Sequence, residues 1–423
     1  MWAIWLISHM AIFLYNFAIT CFRLTLWLIS PVHQKARQMV QGRKQWIKKL
    51  SHDIQGLDNP VVWFHCASLG EFEQGRPLLE SFIKLYPGYK VLLTFYSPSG
   101  YEIRKNYQYA HAVHYLPWDT ADNAREFYDL VKPAAAFLIK YEFWYHFIHE
   151  AKNTGVPLMV CSAIFNEKQV FFRPYGVLFR KILSDIKHLF VQDRESSQLL
   201  SGIGITSVTV AGDTRVDRVA SIIQETETNP ILEQFAGDSA LFMVGSSWPP
   251  DLEVLQELVG KEQHLKFVVA PHEVGEKQLE LIESTFKRAS VRYSDFDGSK
   301  EAEVLIIDTI GILSHLYRYG KYAYIGGAFG KGLHNILEPA TFGLPLFFGN
   351  DNYQQFAEAE ALVSLGGAFA IGNGEELYHA YSKLENDEAS YQNASLVCAE
   401  YIQKNTGATG KILDYVKDEL RLK

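Results

Sequence analysis

The chain has 423 residues, of which 48% are hydrophobic, and a formal net charge of −8. This apolar content excludes intrinsic disorder, and the acidic balance argues against a general nucleic-acid-binding protein, whose surface would be basic. The chain is long for one hydrophobic core, so two domains are predicted, with a cleft between them as the expected ligand site.

The residues that commonly bind metals show no pattern typical of a metal site. The cysteines lie far apart, without CxxC or zinc-like His spacing, and are interpreted as reduced, buried thiols of a cytoplasmic protein. The Asp295-Phe296-Asp297 triplet resembles the DxD motif that chelates a metal with nucleotide sugars. It lies in a polar stretch rather than at a strand end, so we interpret it as a loop and predict no metal site.

The N-terminal stretch is predicted to attach the protein to a membrane. Residues 2–22 carry no charged side chain, and the apolar run continues after Arg23. About 20 such residues span the hydrocarbon core as a helix, although His9 and Asn16 leave an interfacial amphipathic helix as an alternative. A cleavable signal peptide is disfavoured because a basic first region and a small-x-small site are missing. Residues 1–30 are therefore assigned as a single anchor, and the rest is expected to fold without it.

A basic stretch follows the anchor and contains Lys35, Arg37, Arg43, Lys44, Lys48 and Lys49. By the positive-inside rule, the remainder of the protein lies in the cytoplasm. The cluster suits anionic lipid head groups, or it is simply a solvated helix face.

Residues 31–228 are predicted to form a first α/β domain with a parallel sheet. Residues 60–67 have the apolar pattern of a buried strand, and a helix over 74–85 and a strand over 90–97 follow. Ligands bind at the carboxyl ends of such strands, where Glu71 falls. Glu71 is therefore predicted to be a general base facing the cleft or, alternatively, only a favourable charge at a helix start.

Two further charged residues of this domain are candidates for the site. Glu142 lies among aromatic residues near the end of the strand predicted in AAAFLIKYEFWYHF. Burial of a carboxylate is costly unless it is paired, which indicates a functional role or pairing with Lys140. After strands in PLMVCSAI and HLFVQD, Arg215 could meet a phosphate or pair with Asp213 or Asp217.

The strand pattern restarts after residue 228, so residues 229–423 are predicted to form a second, nucleotide-binding domain. Its strands end in small, polar or turn-forming residues, among them Pro271 and His272. His272 either contacts a nucleotide or is a helix-start residue. From residue 356 onward the chain has helical character, and its last helices can pack back on the first domain.

A glycine-rich stretch, residues 322–349, is the centre of this second domain. A strand over 322–325 leads into a loop with four glycines, a helix over 335–342 and the strand GLPLFFG. Such a loop and the following helix start favour an anion, and Glu338 could accept hydrogen bonds from ribose hydroxyls. The alternative is a structural βα turn with a capping Asn335 and a solvated Glu338.

Two Rossmann-like doubly wound halves, with the nucleotide half second, predict an α/β fold of the GT-B glycosyltransferase type. The motifs WFHCASLGEFE, TFYSPSGY, LPWDT, KYEFW, FVQD, AGDTRVDRV, APHE and GGAFGKGLHNILEP occur in this order. This ordered set resembles 3-deoxy-D-manno-octulosonic acid (Kdo) transferase over nearly the whole chain.

The resemblance implies roles for particular residues. The base falls on Glu71, and two transition-state stabilisers fall on Glu142 and Arg215. The CMP contacts fall on Pro271, His272, Ile310, Gly311, Ile312, Asn335, Ile336, Leu337 and Glu338. The sequence departs from many relatives at residues 310–312, where they have Met-Gly-Glu, and at residues 164–166, where they have an arginine-containing segment.

The resemblance also implies a reaction. The expected activity is inverting, metal-independent transfer of Kdo from CMP-Kdo to a lipid A precursor (lipid IVA) at the cytoplasmic face of the bacterial inner membrane. No cofactor and no nucleic acid take part. A nucleotide-sugar 2-epimerase of the same architecture is an alternative, although it has no need of an anchor. A non-enzymatic, membrane-tethered nucleotide or lipid sensor is another, although it leaves Glu71 without chemistry.

Overall fold

The computed structural model describes residues 2–56, 59–223, 228–298, 301–330, 332–420 and 422, with side chains from Met10 onward. Met1 of the predicted anchor and Lys331 of the glycine-rich stretch lie outside the described residues. The chain forms two compact units. Unit 1 comprises Met1–Arg218 and Thr406–Lys423, and unit 2 comprises Val219–Asn405.

Strands and helices alternate along most of the chain. The strands are β1 (Val61–Cys66), β2 (Lys90–Phe95), β3 (Ala112–Tyr115), β4 (Ala135–Ile139), β5 (Leu158–Ala163), β6 (His188–Val191), β7 (Val208–Val210), β8 (Ala240–Ser247), β9 (Leu265–Pro271), β10 (Ser290–Arg292), β11 (Val304–Ile306), β12 (Gly320–Ile325), β13 (Leu346–Gly349) and β14 (Ala368–Ile371). The α-helices are α1 (Trp2–Ile29), α2 (Gln34–Gly42), α3 (Trp46–Ile54), α4 (Leu69–Leu85), α5 (Pro98–Arg104), α6 (Ala121–Val131), α7 (Tyr145–Thr154), α8 (Val177–Asp185), α9 (Arg194–Gly202), α10 (Thr214–Ile222), α11 (Pro230–Ala236), α12 (Pro249–Lys261), α13 (Glu276–Phe286), α14 (Leu313–Leu316), α15 (Leu337–Thr341), α16 (Ala357–Leu365), α17 (Gly374–Asn386), α18 (Glu388–Asn405) and α19 (Ala408–Tyr415).

Unit 1 contains a parallel sheet with the strand order β3-β2-β1-β4-β5-β6-β7 among the described residues. Successive side chains of β1 point to opposite faces, and both faces are buried by helices. Trp63 packs on one face with Phe127 of α6, and Phe64 packs on the other in one cluster with Phe72 of α4. Burial on both faces explains why β1 is a continuous apolar run.

Unit 2 repeats the arrangement, with the order β10-β11-β9-β8-β12-β13-β14 in the part of the chain that the structure describes. Each sheet therefore grows in both directions from its first strand, as doubly wound folds do. The order reverses between β1 and β4 in unit 1 and between β8 and β12 in unit 2. The predicted fold class, two Rossmann-like units of the GT-B type, is confirmed.

Three segments differ from the elements that the sequence predicted. The strand expected to begin at Ala134 and to end at residues 140–144 ends at Ile139, and α7 begins at Tyr145. Helix α4 begins at Leu69 rather than at residue 74, so that Glu71 lies within its first turn. The helical C-terminal part contains the edge strand β14, whose four residues pair with β13. Hydrogen bonding to β13 makes this segment a strand. A run as short as AFAI has no hydrophobic periodicity that would distinguish a strand from a helix.

The unit boundary also differs from the predicted boundary at residue 228/229. It lies at residue 218/219, within α10, and residues 406–423 belong to unit 1. The side chains of Ala408, Ile412 and Val416 are buried in the same cluster as Phe64. The carboxylate of Asp217 accepts hydrogen bonds from the backbone N–H groups of Gly407 and Thr409, each at 2.6 Å. Through this burial and these hydrogen bonds, the C-terminal segment packs against unit 1.

Helix α1 belongs to unit 1 rather than being a separate anchor. Tyr15 donates a hydrogen bond to the buried carboxylate of Asp119, and Asn16 Oδ1 lies 2.7 Å from His146 Nε2. Asp119 in turn accepts from the N–H groups of His146 and Phe147 in the first turn of α7. One side of α1 is thereby joined to the first turn of α7.

The other side of α1 is exposed and apolar. Phe13, Phe17 and Leu28 are 60% or more exposed. Met10–Ile29 is long and apolar enough to cross a membrane, by length and composition. Cys21 is also exposed, so the expectation that every cysteine is buried is wrong for this residue.

Candidate active site

Glu71 lies directly after β1, in the first turn of α4. Its backbone N–H donates to the Ser68 side chain at 3.5 Å, and Glu71 Oε2 accepts from the Ser68 N–H at 2.9 Å. This reciprocal capping box fixes the carboxylate at the carboxyl end of β1. The helix-start role that the sequence left open is therefore observed, and it places the carboxylate where parallel sheets bind ligands.

Glu142 lies after β4 and is only 6% exposed. Glu142 Oε2 lies 3.0 Å from His65 Nε2 and accepts a second hydrogen bond from Trp144 Nε1. Among the described residues, Glu142 is thus paired with His65, and the alternative pairing with Lys140 is wrong. Lys140 has a φ of 67°, in the left-handed region, which turns the chain sharply after β4.

The sheet brings these two glutamates together. The loops that carry them follow β1 and β4, the adjacent strands between which the strand order reverses. Burial, and secondly the negative charge of Glu142, raise the pKa of Glu71 to a net value of about 7. Backbone hydrogen bonds from Ser68 and Ala67 and the charge of Lys140 offset part of this increase. A carboxyl group with such a pKa can exchange a proton near neutral pH.

Arg215, at the start of α10, is in the same unit. Arg215 Nη2 lies 2.6 Å from Asp213 Oδ2, so the pairing that the sequence suggested is present. Asp213 Oδ1 accepts from Gln74 Nε2 at 2.7 Å, and Gln74 lies three residues after Glu71 in α4. The Gln74–Asp213 bond therefore ties the position of Arg215 to the helix that carries Glu71.

Arg43 was predicted to be part of a basic, lipid-facing cluster, and this assignment is wrong. It is 5% exposed, and its guanidinium carbon lies 4.1 to 5.1 Å from the ring centroids of Tyr96, Tyr115 and Trp118. It donates to the carbonyl groups of Leu116 and Tyr96, each at 2.7 Å. Burial lowers its pKa to about 10. The other basic residues of the stretch, Lys35, Arg37, Lys44, Lys48 and Lys49, are exposed.

The glycine-rich loop of unit 2 follows β12 and is held by a buried carboxylate. Asp251 accepts from the Gly327 N–H at 3.0 Å and from the Tyr324 hydroxyl at 2.8 Å. A Cβ at Gly326 would lie 2.5 Å from the Ser246 carbonyl oxygen, and Gly327 has a φ of 98°. Only glycine fits this close approach and turn. Sequence reasoning missed Asp251, which is three residues after Trp248 at a helix start and so has the spacing of a capping box.

Three aromatic side chains stack at the carboxyl ends of the central strands of unit 2. His272, after β9, stacks on Trp248 at 4.6 Å and on His334 at 4.3 Å between ring centroids. Burial, aided by the charge of His272, lowers the pKa of His334 to about 4. His334 is therefore neutral at pH 7, and Trp248 Nε1 donates to its Nε2 at 3.0 Å. Trp248 and His334 were not predicted as site residues.

The remaining predicted contacts lie on the loops and short helix around this stack. Asn335 Oδ1 accepts from the Leu337 N–H at 3.1 Å, and its amide donates to Glu338 Oε1 at 2.9 Å; the N-cap residue of α15 is Ile336, so the capping role that the sequence suggested for Asn335 is wrong. Ile336 and Leu337 are 1% exposed, so only their backbone can contact a ligand. Helix α15 has five residues rather than the eight predicted, which limits its dipole.

Residues 310–312 and the DxD triplet lie away from regular strands. Ile310 is 88% exposed, Gly311 has a φ of 94°, and Ile312 is the N-cap residue of α14. The Asp295-Phe296-Asp297 triplet lies between β10 and β11, where the Phe296 ring packs on Phe235. No group of three or more His, Cys, Asp or Glu side chains suited to a metal ion occurs among the described residues.

Solved structures of similar fold define the fold class of this protein. The UDP-GlcNAc 2-epimerase of Neisseria meningitidis bound to UDP-GlcNAc has a TM-score of 0.62 and 15% identity, covering 85% of this chain and 100% of that one. Acinetobacter baumannii MurG has a TM-score of 0.55 and 11% identity, covering 85% and 99%. At these identities the similarity shows the GT-B fold, which proteins of different function share.

Sequence comparison supports the resemblance to Kdo transferases. The family model "3-Deoxy-D-manno-octulosonic-acid transferase (kdotransferase)" matches residues 38–218. The 3-deoxy-D-manno-octulosonic acid transferase of Chlamydophila psittaci is 26% identical over 84% of this chain and 85% of that protein. The enzyme of the same name from Aquifex aeolicus is 27% identical over 77% and 86%. The resemblance seen in the motifs is confirmed, because the chain is similar to Kdo transferases over most of its length.

Proposed function

We propose that this enzyme transfers Kdo from CMP-Kdo to a hydroxyl group of a lipid A precursor, lipid IVA, with inversion at the anomeric carbon and without a metal ion. The observation that carries the proposal is the Glu71 carboxyl group, fixed at the carboxyl end of β1 with a pKa raised to about 7 by burial and by Glu142. A base with this pKa is half ionised near neutral pH, where a general base is most effective.

The reaction is a direct displacement. The oxygen of the acceptor hydroxyl bonds to the anomeric carbon of Kdo while its proton passes to Glu71. The bond between that carbon and the phosphate oxygen breaks, and its electron pair leaves with CMP. The anomeric carbon becomes electron-poor in the transition state, so a buried carboxylate such as Glu142 stabilises it, and Arg215 stabilises the negative charge on the donor.

The donor is assigned to the loops of unit 2. His272 and Pro271 follow β9, Asn335 and Glu338 flank the start of α15, and Glu338 is suited to accept hydrogen bonds from ribose. The backbone of Ile310, Gly311, Ile312, Ile336 and Leu337 completes the proposed contacts. CMP leaves as a phosphomonoester and Kdo carries its own carboxylate, so the donor needs less charge neutralisation than a diphosphate donor does. This chemistry supports metal-independent transfer.

Helix α1 is proposed to hold the enzyme on the cytoplasmic face of the bacterial inner membrane. Tyr15 and Asn16 bond to unit 1, so their side of the helix cannot face lipid, whereas the side with Phe13 and Phe17 is exposed and apolar. This two-sidedness supports a helix that lies in the membrane interface. The exposed basic residues of α2 and α3 are suited to anionic lipid head groups.

One assay tests the proposal. The full-length enzyme in detergent is mixed with CMP-Kdo and a tetraacylated disaccharide bisphosphate, and CMP and Kdo-lipid are quantified. We expect CMP release only with the lipid acceptor, an inverted product by NMR, and unchanged turnover in excess EDTA. UDP-GlcNAc replaces CMP-Kdo in a parallel sample, and its epimerisation would support the epimerase instead. Binding of CMP-Kdo without turnover would support a sensor, and a loss of turnover in EDTA that magnesium restores would contradict metal independence.

A further inference from the structure

His65 is a fully buried histidine on β1 that the reaction described above does not use. It is 0% exposed and lies in the centre of the first sheet, in register with Thr94 of β2 and Leu138 of β4. Its Nδ1 lies 2.8 Å from Thr94 Oγ1, and its Nε2 lies 3.0 Å from Glu142 Oε2. It therefore connects a strand interior to a residue of the candidate active site.

The partners of His65 show which ring nitrogen donates to Glu142. Glu142 Oε2 lies 3.0 Å from His65 Nε2, and a carboxylate only accepts, so this hydrogen bond needs the proton on Nε2. At the other nitrogen, Nδ1 lies 2.8 Å from Thr94 Oγ1 and 3.1 Å from the Thr94 carbonyl oxygen, and Thr94 Oγ1 also accepts from Trp63 Nε1 at 2.7 Å. Thr94 thus holds the ring on the side opposite to Glu142.

Both hydrogen bonds that Glu142 accepts among the described residues go to the same oxygen, Oε2. The donors are His65 Nε2 and Trp144 Nε1, and the Trp144 ring is itself stacked on Tyr96 at 4.4 Å between centroids. Oε1 is the oxygen that this scaffold leaves for the reaction. Two rigid ring donors on one carboxylate oxygen fix the orientation of the whole group.

We propose that His65 is a positioning residue of the transferase, which holds Glu142 through its Nε2–H so that Oε1 is presented to the donor sugar. The proposal rests on the function assigned above and deepens it. Fold stability does not explain the pair, because a buried polar pair seldom stabilises a protein more than well-packed apolar side chains do. The His65–Glu142 pair lies beside Glu71 at the point where the strand order reverses. Ligands bind at this point of such sheets, so the orientation of Glu142 there affects the proposed reaction.

Two conservative variants separate positioning from packing. In His65→Asn the amide takes the place of Nδ1, so the contact with Thr94 is kept and the donor to Glu142 is lost. In His65→Gln the amide nitrogen takes the place of Nε2, so the donor to Glu142 is kept. His188→Asn is the matched control, because His188 is a buried histidine of β6 that bonds Thr209 at 2.9 Å, away from Glu142.

Single-turnover rates at saturating CMP-Kdo and KM values are measured for each variant and for Glu142→Gln. His65→Asn should be about 10- to 100-fold slower, as expected for a lost hydrogen bond to a charged group. Its KM for CMP-Kdo should stay within about twofold, since only transition-state stabilisation is lost. His65→Gln should recover most of the rate, and His188→Asn should retain it. The double variant His65→Asn/Glu142→Gln should be no slower than Glu142→Gln alone.

Other results overturn the proposal. Equal loss in the Asn and Gln variants, a normal rate in His65→Asn, or additive effects in the double variant would each show that His65 does not act through Glu142. If His65→Asn fails to fold, Thr94→Val takes its place, because it removes the side-chain partner of His65 Nδ1. A rate loss in Thr94→Val that adds to the loss in Glu142→Gln then refutes the proposal. A normal rate in Glu142→Gln contradicts the proposed function itself. A slow Glu142→Gln with a normal His65→Asn contradicts only the role of His65.

Discussion

Glu71 has a structural role in the fold and, in the proposed reaction, a chemical role as well. As the third residue of α4 it completes the capping box with Ser68, and its burial beside Glu142 raises its pKa to about 7. Either role by itself is common at a helix start. Together they place a proton acceptor of suitable strength on a rigid element, where an acceptor hydroxyl needs one.

Glu71→Gln should lower kcat by roughly 10²- to 10⁴-fold, because glutamine keeps the capping geometry but cannot accept a proton. The affinity for CMP-Kdo, which is assigned to unit 2, should stay within about a few-fold. In the wild type, kcat should fall as the pH drops below about 7, since protonated Glu71 is no base. Single-turnover kinetics from about pH 5 to about pH 9 measure both effects.

Glu73→Gln is the control for this prediction. Glu73 is two residues further along α4, and its carboxylate is paired with Arg104 at 2.6 Å instead of with the Glu71 site. It should retain turnover. A dead Glu73→Gln beside an active Glu71→Gln would invalidate the assignment of the base.

The same raised pKa predicts a stability effect with a definite sign. A carboxyl group that binds its proton more tightly when folded contributes stability below its unfolded pKa and loses it as the pH rises through about 7. Glu71→Gln removes this loss, so the variant should be more stable at pH 8 by about 1–3 kcal/mol and unchanged at pH 4. Differential scanning calorimetry at both pH values provides the measurement. If the wild type and Glu71→Gln had the same Tm at pH 8, ionisation of Glu71 would not destabilise the folded protein.

At the level of secondary structure, α1 has one packed side and one exposed, apolar side. Its inner side reaches Asp119, whose pKa burial raises to about 6 and whose oxygens hold the first turn of α7. Its outer side exposes apolar residues that water disfavours. Helix α1 is therefore joined to the start of α7, directly after the segment that carries Glu142, and its removal is expected to affect unit 1.

Deleting residues 1–30 should destabilise unit 1, because the deletion uncovers Asp119, His146 and part of the apolar core. Circular dichroism and thermal melting should show a lower Tm and aggregation. The control is the double variant Phe13→Ser/Phe17→Ser on the exposed side, which should keep the Tm but bind lipid vesicles less tightly. A truncated chain with the Tm of the full protein would refute the packing role of α1.

At the scale of the molecule, the two units differ in how the chain builds them. Unit 2 is one continuous segment with its own sheet and core, whereas unit 1 is completed by residues 406–423. The buried side chains of α19 pack in the cluster of Phe64 and Phe72. Independent folding is therefore expected of the second unit and not of the isolated N-terminal segment.

A fragment of residues 219–405 should fold and melt cooperatively, and a fragment of residues 1–218 should aggregate. The matched control joins residues 1–218 to 406–423 through a short Gly/Ser linker, which is sufficient because Asp217 bonds the Gly407 N–H at 2.6 Å. This chimera should be folded in detergent, as judged by circular dichroism and size-exclusion chromatography. Folding of 1–218 alone would show that α19 is dispensable for the core.

The sequence by itself determined the fold class, the resemblance to Kdo transferases and the strand ends at which the proposed site residues lie. Buried parallel strands are continuous apolar runs, and the turns that follow them carry glycine or polar residues, so β1, β4, β8, β9 and β12 and the loops after them are visible in the order of residues. The motifs around Glu71, Glu142 and the glycine-rich loop lie in those loops.

Tertiary structure alone decided the partners and the boundaries. The bond between His65 and Glu142 joins residues 77 positions apart, and the bond between Asp217 and Thr409 joins residues 192 apart. Local patterns carry no information about such contacts. In the sequence, Arg43 cannot be distinguished from a basic surface residue, but in the fold it is enclosed by three aromatic rings. The segment of β14 forms a strand because it hydrogen-bonds to β13. Burial and pairing with distant residues set these states, and both are properties of the folded chain.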